Sequence, residues 1–199
     1  ALNHAGHEEE VLTYWDEVKA FERSVSERSA DKSYGFYDGP PFATGLPHYG
    51  HLLASTAKDV VPRYWTMKGY RVERTWGWDC HGIPIENMIE KELDLKGGKK
   101  GIEELGIDKF NAACRSSILR YDKEWQVAIK RLGRWVDFEH SYMTMQKTFM
   151  ESVWWAFSQL YQKDLVYQGR KVVLYCPRCS TPLSNFEIAM DNSYKDVES

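Results

Sequence analysis

Two histidines three residues apart, His48 and His51, stand at the head of an apolar helical run, behind a segment that reads YDGPPFATGLPHYGH. Such a turn, entering a helix from a strand end, presents free backbone N–H groups and the positive end of the helix dipole. Gly39, Gly45 and Gly50 let the backbone approach a ligand with no Cβ in the way, and Pro40-Pro41 stiffens the strand exit. His48 and His51 around the first helical turn can point the same way and donate hydrogen bonds to phosphate oxygens. This suits phosphoryl or nucleotidyl transfer, where catalysis is mostly positioning and charge stabilisation. Taken alone, His-x-x-His equally serves as half of a metal site or as a surface pair. A P-loop is excluded, because no Gly-Lys-Ser/Thr follows the glycines, and no Gly-x-Gly-x-x-Gly occurs.

Asp79, between Trp78 and Cys80, is the second candidate. A carboxylate at the C-terminal edge of a parallel sheet lies where such folds bind ligands, and it can receive an ammonium group. Its alternative role is to cap the helix beginning near Gly82. Cys80 reads as a small buried filler rather than a nucleophile. The third candidate is Cys176-Pro-Arg-Cys179, with the spacing of two thiolates on one zinc. A redox pair is the competing reading, but it should open a helix, and the following STPLSN does not.

The elements that must position these groups follow from periodicity. Val11, Tyr14, Trp15, Val18 and Phe21 predict a helix over 8–22, and ERSVSERSADKS a polar linker. YGFY, 34–37, reads as a short buried strand ended by Asp38-Gly39-Pro40-Pro41. Leu53, Ala57, Val60, Val61 and Tyr64 mark a helix that Pro62 should kink or end. YRVERTW, 70–76, reads as a second strand, followed by the loop GWDCHGIP. Strand, helix and strand in this order make a βαβ crossover with parallel strands. Lys96-Gly97-Gly98-Lys99-Lys100-Gly101 is expected to be a solvated loop. Phe110, Cys114, Ile118, Tyr121, Trp125, Ala128 and Leu132 form one stripe, predicting a single helix capped by Asp108 and stopped by Gly133. Phe149, Val153, Phe157 and Leu160 predict another helix, with Trp154 and Trp155 expected in the core. LVYQGRKVVLY, from Leu165, is β-like.

The 199 residues are 43% hydrophobic and 14% aromatic, enough to bury a substantial core. A net charge of −3 argues against the whole domain being an electrostatic magnet for nucleic acid. No apolar run approaches the roughly 18 residues of a membrane-spanning helix, so no membrane partner is expected. The polar, acidic start ALNHAGHEEE is unlike a signal peptide. Four scattered cysteines make no disulfide scaffold and point to a reducing cytoplasm.

PPFATGLPHYGH resembles the signature of class I aminoacyl-tRNA synthetases, with His48-Tyr49-Gly50-His51 standing for their HIGH element. GWDCHGIPIE, 77–86, resembles the isoleucine-specific branch. Valyl relatives would read closer to Gly-Thr-Asp-His-Ala-Gly here, and leucyl ones closer to Gly-Trp-Asp-Ala-Phe-Gly. MKGYRVERTWGWDCHG, KEW at 123–125, ESVWWAF at 151–157 and YCPRCSTPLSNFE at 175–187 extend the likeness from residue 8 onward. The resemblance implies an α/β fold: the first half of a Rossmann-type parallel-sheet catalytic domain with an N-terminal helix and the start of a zinc-containing editing insertion. It implies boundaries of 1–33, 34–168 and 169–199 for N-terminal helix with linker, catalytic half-domain and insertion. It implies ATP-dependent activation of L-isoleucine to the adenylate and transfer to tRNA(Ile), the tRNA being held mainly by regions outside this stretch. By the same resemblance His48 and His51 contact the phosphates of ATP, taken with Mg2+, and stabilise the transition state. Gly50 lets the adenine lie on backbone, Gly39 touches both ATP and amino acid, Pro40 borders the amino-acid pocket, and Asp79 holds the α-ammonium group. Cys176 and Cys179 would hold half of a Zn2+ site whose other ligands follow Ser199. The complete enzyme is expected to be a cytoplasmic monomer. The KMSKS loop and the remaining strands are expected outside this stretch, leaving a sheet edge and an apolar face uncovered. A valyl or leucyl sibling, or a non-catalytic zinc- or nucleic-acid-binding fragment, are the alternatives.

Overall fold

A computed structural model describes residues 3–42, 45–177 and 179–185. Three extended segments run parallel and lie side by side. The middle one contains β1 (Thr75–Trp78), which pairs with β2 (Asp137–Met143) through Gly77 opposite Tyr142 and Trp78 opposite Met143. On its other side, residues 33–42 meet it only at two bridges, Ser33 with Arg71 and Phe42 with Asp79. The expected parallel order is therefore present, but YGFY is not a buried strand: Tyr37 is 97% exposed. Pro40 and Pro41 have no N–H to give to a ladder, so pairing here cannot be continuous. The middle strand reaches further than expected and takes in Gly77 and Trp78, because Trp76 and Trp78 share one face and both turn into the core.

Helix α1 (His4–Glu17) starts at Asn3, whose side chain accepts from the Gly6 N–H at 3.1 Å. Lys19 takes a left-handed φ of 50° and breaks the helix. The stretch expected as a linker then forms α2 (Ala20–Ser26) and a 3₁₀ turn, Ala30–Lys32. Helix α3 (Tyr49–Met67) runs through Pro62 rather than ending there. The proline ring is fully buried, and that apolar burial offsets the missing backbone donor.

Between β1 and β2 come α4 (Ile83–Glu92), α5 (Lys99–Leu105), α6 (Ile107–Ser117) and α7 (Asp122–Arg131). Two expectations fail here. The Lys/Gly-rich stretch is not wholly loop, since Lys99, Lys100 and Gly101 open α5. The single striped helix is two, and Asp108 lies in the first turn of α6 after Gly106 rather than capping it. The break falls where the Ser116 and Ser117 hydroxyls donate to the carbonyls of Ala113 and Cys114, at 2.8 and 2.7 Å. These bonds compete with helix propagation, and Leu119 follows with φ 69°. Gly133, at φ 81°, does stop α7.

The core is an aromatic cluster. Trp76, Trp78 and Trp125 meet at centroid distances of 5.5 to 5.9 Å, surrounded by Cys80, Ile85, Ile118, Ile129 and Val136. Tilted and edge-on contacts of this kind suit the ring quadrupoles. Helix α8 (Lys147–Gln162) touches this body through Phe149, stacked on Tyr142 at 5.7 Å, but buries none of its residues. Trp154 and Trp155, expected in the core, are 77% and 66% exposed. The β-like run from Leu165 yields only β3 (Tyr175–Cys176), paired antiparallel with β4 (Thr181–Pro182). Among the described residues, no helix is long and apolar enough to cross a membrane.

Candidate active site

His48 is the N-cap of α3, with extended backbone angles of −110° and 171°. Its Nδ1 accepts from the Gly50 N–H at 3.1 Å, and the Nδ1 of His51 accepts from the His48 N–H at 3.2 Å. Each histidine thus satisfies a backbone donor that the helix start would leave orphaned. A ring nitrogen that accepts from an N–H carries no proton, so both neutral imidazoles keep theirs on Nε2. The rings stack with centroids 3.7 Å apart. The result is a pair of Nε2–H donors fixed at the head of a helix. Gly50 has a structural reason of its own: a Cβ there would come within 3.0 Å of the His48 ring.

Burial, followed by the nearby His48 and Lys58, pushes the His51 imidazole below its ordinary value of 6.5. Its ring rests edge-on against Trp125 at 4.8 Å. The indole N–H of Trp125 donates to the Gly45 carbonyl at 2.6 Å, which ties the turn to the core.

Asp79 sits half-buried just past the end of β1, and its N–H donates to the Pro41 carbonyl at 2.8 Å. The Thr144 hydroxyl is 3.4 Å from its carboxylate, and the Cys80 N–H donates to that same hydroxyl at 2.9 Å. Asp79 does not cap α4, whose N-cap is Gly82. Cys80 is buried in the core cluster, and burial raises its thiol pKa, as a filler rather than a nucleophile requires.

The fold therefore brings Asp79 beside residues 39–42, and it stacks His48 on His51 around Gly50. Lys58 links the two groups, for its Nζ donates to the Gly39 carbonyl at 3.2 Å while its charge reaches His51. A Cβ on Gly39 would meet nothing within 4 Å, so packing within this chain does not require a glycine there. Cys176 and Cys179 lie on the β3–β4 turn, where the Cys179 N–H points at the Cys176 sulfur at 3.4 Å. An N–H to sulfur bond across such a turn fits one half of a tetrahedral zinc site. Among the described residues no group of three or more His, Cys, Asp or Glu could hold a metal ion.

Residues 10–198 match the family model described as tRNA synthetases class I (I, L, M and V). The chain belongs to the class I tRNA synthetases. Among relatives of this class I synthetase chain, isoleucine–tRNA ligase of Treponema denticola is 58% identical over 196 residues, covering 98% of this chain and 18% of that protein. Isoleucine–tRNA ligase of Anaplasma marginale is 60% identical over 189 residues, covering 95% and 17%. The chain thus spans under a fifth of the length of the relatives it matches. A crystal structure of Agrobacterium radiobacter K84 agnB2 LeuRS, in a ternary complex with tRNA and LeuAMS, superposes with a TM-score of 0.57. At 21% identity, over 94% of this chain and 21% of that one, it speaks for the fold alone.

Sequence reasoning missed the supports of this candidate site: Asp38, Lys58, Arg134, Tyr142 and Thr144. Lys58 carried a usable signal, because it lies two helical turns after His51 on the same face of α3. Arg134 and Thr144 carried none, since long-range contacts alone bring them in.

Proposed function

We propose that this chain is the N-terminal part of the catalytic domain of an isoleucine–tRNA ligase, which activates L-isoleucine with ATP and passes it to tRNA(Ile). The isoleucine carboxylate attacks the α-phosphorus, a new O–P bond forms, and pyrophosphate leaves with the electrons of the broken P–O bond. The observation that carries this reading is the imidazole pair, whose Nδ1 atoms are both occupied while both Nε2–H groups remain as donors. Donors fixed in advance at a helix start stabilise charge that grows on phosphate oxygens. The depressed pKa of His51 keeps it neutral near pH 7, so it donates a hydrogen bond without having to hold a proton as a cation.

In this reading His48 and His51 contact ATP, which enters with Mg2+, and Gly50 and Gly39 offer backbone to the nucleotide. Asp79 receives the α-ammonium group, with Gly39 and Pro40 beside the side-chain pocket. Cys176 and Cys179 supply two of four zinc ligands in the opening of an editing insertion. The divisions are 1–33, 34–168 and 169–199; residues 178 and 186–199 of the last lie outside the described ones. The ligase works in the cytoplasm as a monomer, with tRNA held mainly by other regions. Identities of 58% and 60% to isoleucine–tRNA ligases support isoleucine over its siblings.

ATP–pyrophosphate exchange with single amino acids, on the full-length ligase carrying this segment, tests the proposal. Isoleucine should drive exchange, and valine should do so more weakly by about a hundredfold, the discrimination one methylene allows, for which isoleucine against valine is the standard case. Exchange driven best by leucine or valine would overturn the isoleucine assignment.

A further inference from the structure

Asp38 lies immediately before the diprolyl turn, and three parts of the fold converge on it: α3, the segment after α7, and β2. Its carboxylate pairs with the Arg134 guanidinium on one oxygen and with Lys58 Nζ at 2.5 Å on the other. The Asp38 and Arg134 side chains are only 8% and 4% exposed. Arg134 also donates to the Ser55 hydroxyl at 3.1 Å, so α3 reaches Asp38 both directly, through Lys58, and indirectly, through Ser55 and Arg134. From β2 the Tyr142 hydroxyl donates to the Asp38 backbone carbonyl at 3.2 Å. Tyr142 gets there by lying across Gly77, where any Cβ would overlap its ring.

We propose that Asp38, clamped between Arg134 and Lys58, is a positioning residue for amino-acid activation, holding the 39–41 turn in fixed relation to the His48–His51 helix start. This rests on the functional reading given above. The geometry explains why the clamp positions and does not merely stabilise. Pro40 and Pro41 have locked φ angles, so Gly39 is the free joint between Asp38 and the stiff turn. Lys58 grips both sides of that joint, the Asp38 carboxylate and the Gly39 carbonyl. Beyond it, Pro41 accepts from the Asp79 N–H, so a swing at Gly39 would carry the turn away from Asp79. Lys58 stands on the same helix as His48 and His51, which makes it the tie between the donors for phosphate and the residues for amino acid. Displacing reacting groups by about 1 Å can cost up to a hundredfold in rate, so a loosened joint should be visible in catalysis.

The test uses the full-length ligase carrying this segment and four variants: Asp38→Asn, Lys58→Met, Arg134→Met and Arg134→Lys. In ATP–pyrophosphate exchange, Asp38→Asn should lower kcat by about tenfold or more, with isoleucine KM changed much less. Lys58→Met, at a half-exposed side chain, should lower kcat severalfold and keeps the test alive if Asp38→Asn fails to fold. Arg134→Lys should recover part of the kcat that Arg134→Met loses, because it keeps the charge facing Asp38. Hydrogen exchange is the second readout: amides of residues 45–52 should lose protection in Asp38→Asn and Lys58→Met, while those of 75–78 keep theirs. A lower melting temperature with unchanged kcat per folded molecule, equal losses in Arg134→Met and Arg134→Lys, or retained protection over 45–52 would each overturn the positioning role. Absence of isoleucine-dependent exchange in the unsubstituted ligase would overturn the functional reading, and the hydrogen-exchange result would still decide whether Asp38 holds the turn.

Discussion

Helices α7 and α8 are both amphipathic and both carry tryptophan, yet they meet opposite fates. In α7, Trp125 is 2% exposed, packed between Trp76, Trp78 and His51. In α8, the more apolar of the two, Trp154 and Trp155 stand largely in solvent and no residue is buried. Burial is a property of a pair of surfaces. An apolar stripe states that a face wants cover, and only the rest of the fold states whether cover is there. The cluster around Trp76, Trp78 and Trp125 draws its cover from Cys80, Ile85, Ile118, Ile129 and Val136, and the candidate active site rests on it through His51. The cysteine turn, beyond α8, is built on a two-residue ladder.

The largest expected effect sharpens this contrast. Trp125→Ala should destabilise the chain by about 3–5 kcal/mol, as large-to-small changes in packed cores do. Trp154→Ala and Trp155→Ala should each stay within about 0.5 kcal/mol, as at surface positions. Urea unfolding of the three variants measures both. Comparable losses in all three would show that α8 is packed as tightly as α7.

Next come the donors that the packed region supports. His48→Ala and His51→Ala should each slow isoleucyl-adenylate formation by about a hundredfold or more, the scale for losing one preorganised donor. ATP KM should move far less, because the loss belongs to the transition state. Single-turnover kinetics on the full-length ligase separates these quantities, and parallel losses in ATP binding and rate would remove the transition-state role.

A smaller and more selective effect belongs to Asp79. Asp79→Asn keeps the shape and removes the charge proposed to receive the substrate ammonium group, so isoleucine KM should rise by about tenfold, the scale of one charge-assisted hydrogen bond. ATP KM should hardly change, and the preference for isoleucine over valine should persist, since in the proposed site apolar walls such as Pro40, and not the carboxylate, read the methylene. Steady-state exchange kinetics checks all three, and an unchanged isoleucine KM would make the carboxylate structural.

The parts of this site legible in the sequence were those that local pattern specifies. His48, Gly50 and His51 at a helix start, Asp79 past a strand end, and the parallel order of strands all follow from spacing and turn chemistry. The break between α6 and α7 was not legible, because the hydrophobic stripe keeps its spacing across it and neither Gly nor Pro marks it. Serine hydroxyls competing for carbonyls end the helix instead. The clamp on Asp38 was hidden for another reason. Its partners Lys58, Arg134 and Tyr142 lie 20, 96 and 104 residues away, and each alone reads as a surface charge or a core aromatic. The exposure of α8 was hidden because amphipathicity does not name the partner.

The smallest expected effect sets a histidine on the packed region against one in water. His51 lies against Trp125, and its pKa is depressed, by burial first and then by His48 and Lys58. His140 is exposed and its pKa is raised, by its hydrogen bond to Asp137 and that carboxylate's charge, with Nδ1 and oxygen 2.7 Å apart. The two act on stability with opposite sign. Below 6.5 the unfolded chain takes up the His51 proton before the folded one does, so the contribution of His51 is present above 6.5 and lost as pH falls through its folded value. For His140 the folded chain holds its proton longer, so its contribution is complete below 6.5 and lost as pH rises through its raised folded value. These two groups together should therefore give a shallow maximum of melting temperature near pH 6.5. His140→Gln should flatten the alkaline side and leave the acid side as it was. Proton NMR titration of the imidazole C–H signals should place His51 below 6.5 and His140 above it. A His51 signal titrating above 6.5 would mean that its ring is not desolvated against Trp125, and the contrast between the two histidines would be gone.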